Sequence, residues 1–192
     1  MITYKGFTKD LKATYGKGNF QYEEGKTYKE EKSKTRSTGF HSAEYILDCL
    51  TWYPLNGQNR YFEVEAAGSI DEEKETSMVV STELTLKKEL TLREIALCAM
   101  KYMILHPFRD WERDVTRCKV AKETAEGRGK GSIVIARGKN PHVRAWEESI
   151  VGILMEDETG EIIQASIREA GKDPIRTGIW YTMTREGEWR EA

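Results

Sequence analysis

Apolar and polar residues alternate along Ile2-Thr3-Tyr4-Lys5-Gly6-Phe7, which predicts a short strand. A turn-rich stretch with Gly16 and Gly18 follows, then a second short strand starting at Asn19-Phe20-Gln21-Tyr22. Glu30 to Ser37 is a charged run and predicts an exposed loop. The period then changes: Ala43, Ile46, Leu47 and Leu50 recur at helical spacing. Ser42 stands where its hydroxyl would cap the helix start, and Pro54 sets the end, because a residue before proline avoids the α region. Arg60 to Ala66 alternates again. Tyr61, Glu63 and Glu65 fall on one face and Phe62, Val64 and Ala66 on the other, the pattern of a half-buried strand. An acidic loop over residues 69–76 and a Val- and Thr-rich strand over residues 78–86 complete this half.

Thr91-Leu92-Arg93-Glu94 has the form of a capping box. It opens the strongest helical pattern in the chain, with Leu92, Ile95, Ala96, Ala99, Met100 and Met103 along one face. Pro107 ends that helix, and residues 108–118 predict a second, more polar one. Residues 119–131 are polar and contain Gly127, Gly129 and Gly131, the composition of a linker or flexible loop. Strand patterns dominate thereafter: residues 132–136, then 149–155 and 162–167 as a hairpin around Asp157-Glu158-Thr159-Gly160, then 179–183, with a terminal turn at Glu186-Gly187-Glu188-Trp189. The expected fold is α+β: an N-terminal mixed sheet with two principal helices over residues 1–118, the linker 119–131, and a small antiparallel β unit over residues 132–192.

Composition narrows the function classes. The 192 residues carry 30 Lys and Arg against 32 Asp and Glu, so no global charge drives the chain toward nucleic acid or an anionic membrane. No apolar run approaches the roughly 20 residues that span a bilayer, and Met1-Ile2-Thr3-Tyr4-Lys5 lacks the layout of a secretion signal. Charge nevertheless alternates in blocks: residues 1–38 and 101–148 are net positive, residues 61–91 and 149–192 net negative. Such blocks can pair with one another in the fold or orient a partner. The basic stretch 109–144, with Arg109, Arg113, Arg117, Lys119, Lys122, Arg128 and Lys130, is the candidate surface for an acidic protein face or for nucleic acid.

Chemistry-bearing motifs are scarce. Cys49, Cys98 and Cys118 are odd in number and widely spaced, which gives neither a disulfide framework nor a zinc half-site and suits a reducing compartment. His41, His106 and His142 have no second ligand at metal-binding spacing, so no metal is expected. Gly127-Arg128-Gly129-Lys130-Gly131-Ser132 misses the phosphate-loop pattern because Gly131 separates Lys130 from Ser132. Its backbone and two cations could still bind an anion, or the segment could be a solvated hinge. No catalytic residue is nominated. The tightest constellation is Gly39-Phe40-His41-Ser42 at the expected helix start, where the helix dipole would keep His41 neutral and able to orient a ligand; the alternative is a packing staple ahead of Ser42.

Several segments together resemble a family of uncharacterised phage and prophage proteins catalogued as a domain of unknown function. They are Tyr4-Lys5-Gly6-Phe7-Thr8-Lys9-Asp10-Leu11, Phe20-Gln21-Tyr22-Glu23-Glu24-Gly25-Lys26-Thr27-Tyr28, Gly39-Phe40-His41-Ser42-Ala43-Glu44, Tyr53-Pro54 and Arg60-Tyr61-Phe62-Glu63-Val64-Glu65. Gly131 to Gly138 is similar to one rung of the short β-repeats that often follow that domain, and Gly178-Ile179-Trp180-Tyr181 to its closing strand. Ala43 stands where family members commonly carry Cys, so a thiolate mechanism does not carry over, and the repeat array is shortened. The resemblance implies a mobile-element origin and a bacterial host's cytoplasm, and no reaction. A weaker likeness to small ADP-ribosyltransferase-like domains implies NAD as ligand, contacted by His41, Ser42 and Tyr53. The expected function is a non-enzymatic binding protein that engages a host macromolecule, such as a nucleoprotein defence complex, and inhibits a defence nuclease in the manner of an anti-CRISPR. The alternatives are the NAD-binding domain and a virion-associated structural protein.

Overall fold

The computed structural model describes residues 1–15, 18–34, 37–73 and 76–192. The chain forms two compact units, Met1–Thr91 and Leu92–Ala192.

In the first unit the strands are β1 (Ile2–Phe7), β2 (Lys12–Ala13), β3 (Phe20–Gln21), β4 (Thr27–Lys29), β5 (Phe40–Ala43), β6 (Arg60–Glu72) and β7 (Met78–Glu89). A 3-10 turn (Ile46–Asp48) leads into α1 (Cys49–Trp52). Strands β6 and β7 form a long hairpin, Glu65 opposite Thr85 and Ala66 opposite Leu84. The other edge of β7 takes β5 through Met78–Ser81 and β4 through Glu83–Thr85. Strand β1 then pairs with β6 over its whole length and with β5 at Tyr4–Ala43, so β6, β7, β5 and β1 close into a ring. Closure removes the free edges that an open sheet would expose. Phe7, Phe40, Phe62, Val64, Val79, Leu84 and Leu86 fill its inside, with Tyr22 against them.

Gly6 is fixed by close packing. A side chain there would place Cβ 2.7 Å from Tyr53 Cδ2, so the Tyr53 ring lies directly on the β1 backbone. Tyr53 is held from two more directions: its hydroxyl accepts from Thr14 N–H (3.0 Å), and Tyr61 donates its hydroxyl proton to the Tyr53 carbonyl (2.5 Å). Three of the segments that carried the family resemblance thus meet at one contact.

The second unit begins with α2 (Leu92–Leu105), whose buried residues are Ile95, Ala96, Ala99, Met100, Tyr102 and Met103. Its strands are β8 (Arg113–Val115), β9 (Cys118–Glu126), β10 (Ile133–Arg144), β11 (Ile150–Glu156), β12 (Ile162–Glu169), β13 (Tyr181–Met183) and β14 (Trp189–Glu191). Strands β9, β10 and β11 are parallel neighbours, with Cys118, Ile133 and Ile150 in register. Parallel neighbours ordinarily need a crossover of a dozen or more residues. Here the chain bends within β9 and β10, so that Cys118–Lys122 pairs with Ile133–Arg137 and Thr124–Glu126 with His142–Arg144, and the chain coils back within a few residues. The antiparallel strands β8 and β12 flank the three rungs.

One face of this sheet, with Val134, Ala136, Val151, Ile153 and Met155, packs with Tyr181 and Met183 and with Trp189. The other meets α2: Met100 Sδ lies 2.8 Å from where a Gly152 Cβ would stand. Arg137, 2% exposed, ties this face to the chain leaving α2. It pairs with Glu156, donates to the Pro107 carbonyl (2.7 Å) and stacks on Trp111 (4.8 Å).

The α+β expectation is corrected: the fold is mostly β, with one four-residue α-helix and one of fourteen residues among the described residues. The sheet types are also exchanged. Among the described residues all pairings in the first unit are antiparallel, and the mixed sheet lies in the second. The helix expected from Ser42 fails because Phe40–Ala43 pairs with Met78–Ser81 as a strand, and only Ile46–Trp52 turns helically. Cross-strand partners far along the sequence outweigh local period. The polar helix expected over 108–118 is absent; β8 turns through Arg117 into β9, which runs through most of the segment read as a linker. The expected hairpin of β11 and β12 is present, Leu154 opposite Ala165.

Candidate functional site

The basic stretch was the first candidate, and most of its cations are already engaged. Lys119 and Arg128 converge on Asp114 at 2.8 and 3.0 Å, Lys130 meets Glu148 at 2.7 Å, and Arg113 meets Asp110 at 3.1 Å. The shared cations hold the Asp114 carboxyl below the usual carboxylate range. Arg109, Arg117 and Lys122 are exposed. The alternating charge blocks pair within each unit, as Lys29 with Glu83 (3.0 Å) and Arg137 with Glu156 illustrate. In the glycine-rich segment, Ser132 Oγ donates to the Gly129 carbonyl (2.9 Å), and both flanking cations have carboxylate partners.

His41, Ser42 and Tyr53 do not form one cluster. His41 and Ser42 are successive residues of β5 and so point to opposite faces. Ser42 is buried and accepts from Thr3 Oγ1 (2.9 Å). His41 is half-buried, with Nδ1 3.2 Å from the Gly39 carbonyl oxygen. Its pKa is lowered, as expected, but the causes are burial and then the Lys5 charge, not a helix terminus. Tyr53 is buried under Tyr15 (5.2 Å, edge to face).

The residue that the sequence did not nominate here is Lys5. Its Nζ donates to the His41 carbonyl (2.6 Å) and lies 5.8 Å from the Phe7 and Tyr22 ring centres. Burial lowers its pKa to about 8. The thiols of Cys49 and Cys118 are buried and pushed up to about 12, which keeps them protonated and unreactive at neutral pH. Among the described residues no group of three His, Cys, Asp or Glu side chains could hold a metal ion, and no helix is long and apolar enough to cross a membrane.

The surface that stands out lies in the second unit, between α2 and β12. A shallow groove of about 280 Å³ is lined by Leu97, Met100, Ile104 and Leu105 from the helix and Ala165 and Ile167 from the strand. Lys101 is its one charged lining residue. Leu97, Ile104, Leu105 and Ile163 are exposed, Leu105 to 63%, and Phe108 just past the helix is 78% exposed. The buried face of α2 was legible from its period. Its opposite face also carries Leu97, Ile104 and Leu105, so the helix is apolar on two sides; that second stripe was the available signal for this surface.

The family model described as a domain of unknown function (DUF7666) matches residues 1–98. The chain belongs to this family. The match spans the closed β ring and the first half of α2. No curated protein and no solved structure matches the chain.

Proposed function

We propose that this DUF7666 protein is a non-enzymatic binding protein that engages another macromolecule through the second unit. The observation that carries the reading is the exposed apolar stripe Leu97, Ile104 and Leu105 along the groove, with Phe108 exposed just past the helix end, in a chain that is otherwise charge-rich. Clustered exposed apolar side chains rimmed by polar residues mark interaction surfaces. Within this reading the partner is a protein of a bacterial host, and the resemblance to phage and prophage proteins extends the proposal to inhibition of a defence nuclease in the host cytoplasm. Internal pairing of Lys119, Arg128 and Lys130 favours a protein surface over direct contact with nucleic acid.

The test is copurification from a bacterial lysate with and without nuclease, comparing the wild type with Leu105→Ser/Phe108→Ser. A stoichiometric protein partner that survives nuclease and is lost with the double variant supports the reading. A partner lost on nuclease treatment, or one captured equally by both forms, sinks it.

A second reading, a virion-associated structural part, draws on the three parallel rungs β9, β10 and β11. Stacked rungs bury their faces against neighbours, so this reading expects a trimer or larger assembly in light scattering.

A further inference from the structure

We propose that the groove between α2 and β12 takes an extended, acidic and apolar segment of a partner protein, which adds to β12 as a further antiparallel or parallel strand; the inference rests on the binding reading above and specifies its mode. Three observations place this occupant. First, β12 ends its sheet: it pairs with β11 along one edge, and among the described residues no strand pairs with the other. A strand edge offers a row of backbone donors and acceptors that another extended chain satisfies and a helix does not; on this one the Ala165 N–H donates to Gln164 Oε1 (3.2 Å) and the Ile167 carbonyl accepts from Arg168 (2.9 Å), two local side-chain contacts that an added strand would replace. Secondly, Ala165 and Ile167 on that strand line the groove together with Leu97, Ile104 and Leu105, so apolar surface adjoins this edge on one side. Alternate side chains of an added strand point to that side.

Thirdly, the charge at the groove has one sign. Lys101 lines it, and Arg93 is exposed two turns earlier on α2. Unlike Lys119, Arg128 and Lys130, neither has a carboxylate partner among the described residues. A second copy docked symmetrically would bring these cations toward each other, whereas a segment with a carboxylate beside its apolar residues would be drawn to them. The helix face from Leu97 to Leu105 is about 12 Å long, which matches roughly four residues of extended chain. The recognised segment is therefore short, with two apolar side chains at alternate positions and an acidic residue next to them.

The experiment uses the full chain and three labelled octapeptides: alternating Val-Glu, alternating Val-Lys and alternating Ser-Glu. Fluorescence anisotropy should show Val-Glu binding at least tenfold more tightly than either control. Lys101→Glu, a change at an exposed position, should reverse the preference between Val-Glu and Val-Lys. Amide hydrogen exchange on the complex should show new protection within Ile162–Glu169. Equal binding of the three peptides, no binding of Val-Glu, or an unchanged preference in Lys101→Glu overturns the proposal. So does protection confined to α2, which would mean docking without strand addition. If the lysate partner is lost with Leu105→Ser/Phe108→Ser while Val-Glu fails, the binding reading stands and strand addition alone is wrong.

Discussion

The Glu123 carboxylate lies over Gly138 and accepts hydrogen bonds from the next two backbone N–H groups, Lys139 and Asn140, at 3.0 Å each. At this point the pairing of β9 with β10 slips, Lys122 facing Arg137 and Thr124 facing His142, so one residue of β9 spans four of β10. The ladder cannot serve the N–H groups in that gap, and a side chain replaces it. Glu123 adopts φ +60° there, and a Gly138 Cβ would stand 2.3 Å from its Oε1. The corner that lets parallel rungs follow one another closely is built from this pair.

Gly138→Ala should therefore lower the unfolding free energy by about 1–3 kcal/mol through overpacking. Glu123→Gln should cost about 1 kcal/mol, since an NH2 group, which donates and cannot accept, replaces one of the two acceptor oxygens. The two share one contact, so the double variant should deviate from additivity by more than 0.5 kcal/mol, roughly the limit for independent sites. Urea denaturation of the four proteins checks this; additive effects would mean that the contact does not hold the corner.

The contact of Gly6 with Tyr53 makes a parallel case in the first unit. Gly6→Ala puts a methyl group 2.7–2.9 Å from three Tyr53 atoms in a buried place, and should cost about 1–3 kcal/mol. Gly57→Ala is the control for sterics, because nothing lies within 4 Å of a Cβ there, although its φ of +77° makes it strained. Near-ultraviolet circular dichroism should change for Gly6→Ala alone, since only that substitution displaces a packed aromatic ring.

Lys5 gives a pH dependence with a defined sign. Its pKa falls from 10.5 to about 8 because burial disfavours the ammonium ion. Between pH 8 and 10.5 the unfolded chain then binds more protons than the folded one, so stability from this group rises with pH across that window. Below pH 8 the group is charged in both states and its buried charge is a constant cost. Lys5→Met should flatten the rise between pH 8 and 10.5. Unfolding midpoints measured across this range test it; parallel profiles for the two proteins would place the Lys5 pKa at its ordinary value.

Much of the chain was legible before folding. Strand β1 coincides with the expected strand, the buried residues Phe62, Val64 and Ala66 sit on the expected face of β6, and the core face of α2 follows its period. These are local patterns, in which a residue's environment follows from neighbours two to four positions away. The candidate sites fared differently. His41 looked like a residue at a helix start because Ala43, Ile46, Leu47 and Leu50 repeat at helical spacing, yet Phe40–Ala43 became a strand once Met78–Ser81 was there to pair with it. Arg128 and Lys130 looked like open cations because Asp114 and Glu148 are distant in sequence and close in space.

The amino-acid sequence by itself determined where the chain alternates, where it turns and which face of each element is apolar, because side-chain periodicity is written into the backbone geometry of strand and helix. Only the tertiary structure decided which strands meet, and hence that β9, β10 and β11 run parallel. It also decided which charges cancel and, among the described residues, which strand edge takes no further strand and which helix face stays exposed. Pairing energy depends on contacts between residues tens of positions apart, and no local pattern encodes them.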